Sequence, residues 1–156
     1  RGIQISAARA FLFNQVLSTR LGMKNWATYL RGDVLNLDGT QSYFLIGSDE
    51  EQEKTQRRLD IFDIHISGPL PGIINSKDKY VTRSKAADIE LRSISKYEEL
   101  LNGLQMANVT ASRRPLRFRA ENLLWSWIDR NTLIITFSLR KGCYATSLLR
   151  EVCLFD

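Results

Sequence analysis

Apolar positions change their period several times along the chain, and each change marks a predicted element. Between Ser6 and about Leu21, Ala7, Phe11, Leu12, Val16 and Leu17 fall on one side of a helix that Ser6 can cap and Gly22 can stop. Val34-Leu-Asn-Leu37 and Ser42-Tyr-Phe-Leu-Ile46 flank a turn containing Gly39, the pattern of a β-hairpin. Ser48-Asp-Glu-Glu51 followed by Arg57-Arg58 predicts a second helix, with acids in its first turn and bases near its last to match the macrodipole. Ile64 to Ser67 reads as a short strand ending at Gly68-Pro69, and a further helix is expected from Ser93 or Ser95 through Leu101, ended by Gly103. Leu116–Phe118 and Leu123–Trp127 read as extended. They lead into Leu133-Ile-Ile-Thr-Phe-Ser-Leu139, where Leu133, Ile135, Phe137 and Leu139 alternate onto one face as in a half-buried strand. The order predicts an α+β chain: a mixed α/β domain over residues 1–118, then strand–strand–helix over 119–156.

The last period change carries the most chemistry. Gly142 breaks the strand pattern, and from Tyr144 onward Ala145, Leu148, Leu149 and Val152 return at helical spacing. A strand–tight turn–helix junction places Tyr144 at the mouth of the turn, beside the free N–H groups of a first helical turn where an anion can bind. A ring next to such amides suits a nucleotide, stacking on the base while the amides meet a phosphate. The same geometry also suits a tyrosine that merely packs a helix start.

Composition narrows the classes. Hydrophobic content of 44% and charged content of 25% in 156 residues are ordinary for a globular chain with one or two small domains. No apolar run has the length of a membrane span, and no signal-peptide pattern opens the chain. Cys143 and Cys153 lack metal-ligand spacing and read as reduced thiols of a cytosolic protein. His65 is the single histidine, which excludes a histidine-based metal site, disfavours a Ser–His–Asp triad, and between Ile64 and Ile66 reads as a strand residue. The net charge of +5 favours a polyanionic partner. Arg113, Arg114, Arg117 and Arg119, interleaved with Phe118, form the densest basic stretch, and guanidinium groups both fork onto phosphates and stack on bases. A solvated connector with alternating charges gives the same composition.

Several motifs in fixed order carry a resemblance. They are Ser6-Ala-Ala-Arg-Ala-Phe-Leu-Phe-Asn-Gln15, Arg31-Gly-Asp-Val-Leu-Asn-Leu-Asp-Gly39, Gly68-Pro-Leu-Pro-Gly72, Arg113-Arg114, Leu124-Trp-Ser-Trp127 and Lys141-Gly-Cys-Tyr-Ala-Thr-Ser-Leu-Leu-Arg-Glu151. Together they resemble the tRNA pseudouridine synthase D family over essentially the whole chain. The resemblance implies that residues 1–118 are the family's insertion domain. Residues 119–156 would then be the last segment of the catalytic domain, completing a sheet whose other strands lie upstream. It implies isomerisation of uridine-13 of tRNA to pseudouridine in the cytoplasm, with no metal or organic cofactor and no membrane. Tyr144 holds the family position of the ring that stacks on the target base, and Lys141 and the four arginines become candidate RNA contacts. Arg140 stands where the family usually has proline, and Cys143 where serine is usual, which should loosen the turn slightly. Arg150 and Glu151 are expected to support it.

The same comparison marks an expected absence. The family's nucleophilic aspartate lies in a G-x-K-D motif upstream of the S-A-A-R helix, and only five residues precede Ser6 here. Lys77-Asp78-Lys79 imitates that motif, but Asn75 replaces its glycine and the surrounding stretch is polar, so Asp78 reads as a solvated carboxylate flanked by lysines. No catalytic residue is expected in this chain, and the missing N-terminal catalytic half becomes its expected partner. Without that half, the strand at 133–139 should lack part of its cover. The contrasting readings are a non-catalytic RNA-binding module and a protein-interaction domain whose arginines are incidental.

Overall fold

The structure is a computed structural model that describes residues 2–47, 51–74 and 81–152. It divides into two compact units, Arg1–Leu116 and Arg117–Asp156.

In the first unit, helix α1 spans Gly2–Gly22, strand β1 Val34–Leu37, β2 Tyr43–Leu45, helix α2 Gln52–Asp60, β3 Ile64–Leu70, helices α3 Ser84–Ile94 and α4 Glu98–Met106, and β4 Ser112–Pro115. The four strands form one antiparallel sheet in the order β2-β1-β3-β4. Helix α1 packs on β3 and on α3, while α2 also lies against β3. The core is Phe13, Tyr29, Leu35, Leu59, Ile64, Ile66 and Leu116. On α1, Leu12, Phe13, Val16 and Arg20 are buried, a stripe at helical spacing. Phe11, expected on that stripe, is exposed, and its ring meets the Tyr97 ring edge-on at 5.0 Å.

Four expectations shift. Helix α1 already includes Gly2–Ile5, so Ser6 lies within it and does not cap it. Strand β3 runs on through Gly68 and Pro69 because β4 pairs there, Gly68 opposite Arg114 and Pro69 opposite Arg113. The pairing with β1 has ended at Ile66, so the missing N–H of Pro69 falls beyond that pairing and removes no bond from it. Ser93 is in the last turn of α3 and starts nothing; α4 begins at Glu98 and runs through Gly103. The expected strand at Leu116–Phe118 lies earlier, at Ser112–Pro115.

Two glycines of the quoted motifs have steric causes. Gly32 has φ +89°, and a Cβ there would stand 1.9 Å from the Arg83 carbonyl oxygen. A Cβ on Gly68 would meet Leu116 and Phe13 at 2.8 Å, inside the core.

The second unit holds β5 at Glu121–Trp127, β6 at Leu133–Ser138 and helix α5 at Ala145–Val152. Strands β5 and β6 form an antiparallel pair with an irregularity between Glu121 and Leu124, where Asn122 has φ +54°. At the hairpin end the Asp129 carboxylate accepts the Asn131 N–H at 2.8 Å, and that bond holds its carboxyl below the usual range.

Candidate functional site

The turn between β6 and α5 is built as the alternation predicts. The Cys143 N–H donates to the Arg140 carbonyl at 3.1 Å, closing a tight turn in which Gly142 takes φ +92°. A side chain at Gly142 would be strained in that backbone region. The Ser147 N–H donates to the Tyr144 carbonyl at 3.0 Å, so Tyr144 stands immediately before α5 as its first capping carbonyl. Its side chain is 65% exposed, far too open for a packing residue of its own unit. Lys141 is exposed in the same turn. Arg140 reaches across to β5, where its Nη2 lies 3.2 Å from Glu121 Oε1. Among the described residues no hydrogen bond or ion pair joins Arg150 to Glu151, and adjacent residues on a helix point about 100° apart.

The strand pair feeding this turn is unusually bare. Trp125 lies opposite Ile135 and Trp127 opposite Leu133, so all four side chains share one face. Trp125 is 70% and Trp127 64% exposed, while Leu133, Ile135 and Phe137 are half-buried.

The arginine stretch does not act as one patch. Arg113 and Arg114 are adjacent on β4 and so point to opposite faces. Arg113 is buried: its Nη2 lies 2.5 Å from Glu90 Oε1 and donates to the Ser67 carbonyl at 2.8 Å, and its Nε donates to Ser67 Oγ at 2.8 Å. That guanidinium joins β4 to β3 and α3. Arg114 lies over the Phe13 ring, 4.0 Å from its centroid. Arg117 and Arg119 belong to the second unit.

Sequence reasoning missed the arginines that hold the first unit together. Arg9, of the Ser-Ala-Ala-Arg segment, donates to the Leu70 and Thr110 carbonyls at 3.0 and 3.1 Å and to Ser112 Oγ at 2.6 Å. Burial lowers its pKa. It thereby ties α1 to the Gly68–Gly72 segment and to β4, so two of the quoted motifs are one contact. Arg20 forms a buried two-pronged pair with Asp33 at 2.6 and 3.1 Å and also holds the Asn25 and Thr28 carbonyls. The available signal was a charged residue at the apolar spacing of a helix, four after Val16. His65 lies buried in β3 with Nε2 2.7 Å from Asp38 Oδ1. The Lys77-Asp78-Lys79 segment and Cys153 lie outside the described residues. Among the described residues no cluster of His, Cys, Asp and Glu could hold a metal ion. No described helix is long and apolar enough to cross a membrane.

The family model of tRNA pseudouridine synthase D (TruD) matches residues 1–152. The chain belongs to the tRNA pseudouridine synthase D family. A tRNA pseudouridine synthase D of Xanthomonas campestris is 41% identical over 154 residues, covering 97% of this chain and 40% of the relative. That of Nitrosococcus oceani is 40% identical over 153 residues, covering 97% and 41%. That of Proteus mirabilis is 35% identical over 154 residues, covering 99% and 43%. The chain thus spans about two-fifths of the length of these relatives. A crystal structure from Methanosarcina mazei, described as a tRNA pseudouridine synthase D, superposes with a TM-score of 0.64 at 19% identity, over 92% of this chain and 36% of that one. The likeness extends to the α+β architecture of this family member.

Proposed function

We propose that this chain is the C-terminal portion of a cytoplasmic enzyme that converts uridine-13 of tRNA to pseudouridine. The observation that carries the reading is the β6–α5 junction of a family member, with an exposed Tyr144 ring beside the start of α5. In this reading residues 1–118 are the insertion domain, and residues 119–156 add the last strands and helix to a catalytic sheet. The exposed Trp125 and Trp127 mark where the N-terminal catalytic half packs. Contiguous apolar surface of this kind marks an interaction site.

The reaction is an isomerisation. The C1′–N1 bond of the nucleotide breaks, the uracil turns, a C1′–C5 bond forms, and the proton lost from C5 is balanced by one gained at N1. Atoms and electrons balance within the nucleotide, so the chemistry asks for no cofactor. The nucleophilic carboxylate belongs to the N-terminal half and to none of the carboxylates in this chain. The target base must leave its stack, which costs a few kcal/mol, and stacking on an aromatic ring returns about 1–3 kcal/mol. Tyr144 supplies that ring. Lys141, Arg114, Arg117 and Arg119 contact tRNA phosphates or bases; Arg113, committed to Glu90 and Ser67, does not.

The test is Tyr144→Phe against Tyr144→Ala in the enzyme completed with its N-terminal half. Phenylalanine should retain activity within a few-fold, and alanine should lower kcat/KM by roughly 10- to 100-fold, the equivalent of the stacking energy. Equal activities of the two variants would refute stacking as the role of Tyr144.

A further inference from the structure

A second cationic surface lies on the first unit, far in sequence from the arginine stretch, and backbone geometry assembles it. The Arg83 N–H donates to the Gly32 carbonyl at 3.0 Å, and Gly32 packs so closely on Arg83 that no Cβ fits between them. This contact brings the Arg31–Gly32 turn against the start of α3. Arg31, Arg83 and Lys85 are all exposed there. Among the described residues neither Arg83 nor Lys85 has an ion-pair partner.

Among the described residues, two nearby acids are turned inward. Asp33 is buried against Arg20. Glu90 is shared between Arg113 and the Thr82 hydroxyl, which donates to it at 2.8 Å. The first turn of α3 contains no acid, and Asp88 is exposed on the next turn. The free N–H groups of that first turn add positive potential of the same sign. The exposed cations Arg83 and Lys85 suit a phosphodiester backbone, a contact that positions a nucleic acid and reads no base.

We infer that Arg83 and Lys85, set beside the Arg31–Gly32 turn, form an RNA-backbone contact through which the first unit positions tRNA, apart from the base-binding junction at Tyr144. This rests on the tRNA reading above, and the measurement separates the two. Binding of unmodified tRNA by this chain is followed as a function of salt for the wild type, for Arg83→Glu with Lys85→Glu, and for the milder Arg83→Ala with Lys85→Ala. Lys54→Glu with Arg57→Glu on the exposed side of α2 carries the same charge change as the reversal. Circular dichroism confirms that each variant is folded.

Each phosphate contact contributes close to one unit to the slope of log K against log salt. The alanine pair should therefore flatten the slope by roughly two units, and the reversal should weaken binding by roughly tenfold or more at about 0.1 M salt. The α2 control should keep the wild-type slope. Wild-type binding with an unchanged slope in the alanine pair overturns this inference and leaves the Tyr144 reading standing. An equal loss in the α2 control overturns it as well, by reducing the effect to net charge. Failure of the wild-type chain to bind tRNA overturns both the inference and the RNA reading of this chain.

Discussion

Arg20 and Asp33 show how a single buried pair can organise a loop from beneath. Both are buried, and the guanidinium satisfies two loop carbonyls besides the carboxylate, so the loop joining α1 to β1 closes around a charge. Breaking one side of such a pair strands the other charge and costs about 3–5 kcal/mol. Arg20→Met should therefore lower stability by that amount, read from the urea midpoint of far-UV circular dichroism. Arg20→Met with Asp33→Leu should recover part of the loss. Recovery stays partial because the Asn25 and Thr28 carbonyls and the Leu30 N–H still lose their partners. A single variant as stable as the wild type would show that the pair is not organising the loop. Arg113 follows the same logic: the sequence offers it as one of four equivalent arginines, but strand alternation sends it inward to Glu90 while Arg114 turns to Phe13.

Among the elements, those with a clean period were legible and those whose inner face is polar were not. The 34–46 hairpin and the β6–turn–α5 junction lie within a residue or two of their predicted bounds. Helix α3 was missed because its inner face is Ala86, Ile89 and Ser93, a stripe that a polar residue interrupts. The Ser93 hydroxyl lies within hydrogen-bond reach of the Ile89 carbonyl and of Thr19 Oγ1 on α1, at 2.7 and 2.8 Å, a tertiary partnership that no local pattern announces. Strand β3 outran its Gly-Pro stop for a related reason: β4, more than forty residues later, pairs with it there. The position of Tyr144 was readable because it depends on a local turn, whereas the contacts of Arg9 were not, because its partners at Leu70, Thr110 and Ser112 are distant in sequence. The β5–β6 pair yields its own prediction. A two-stranded ribbon is marginal alone in water, and an exposed apolar face promotes association. Trp125→Ser with Trp127→Ser should make this chain more soluble, by light scattering, and should weaken its capture of the N-terminal half in a pull-down. Unchanged capture would mean that the tryptophan face is not the docking surface.

For the whole molecule, the proposed division of labour is that one polypeptide segment supplies the nucleophile and this one supplies the stacking ring, the cationic contacts and the last strands of the sheet. The chain spans about two-fifths of its relatives, and the β5–β6 pair exposes large apolar side chains, Trp125 and Trp127 foremost. Both facts agree with a site shared between segments. The most direct measurement is pseudouridine formation in unmodified tRNA by this chain alone, by the N-terminal half alone, and by the two mixed. Turnover should appear only in the mixture and fall on Tyr144→Ala. Pseudouridine made by this chain alone would contradict the account, because one of its own carboxylates would then have to be the nucleophile.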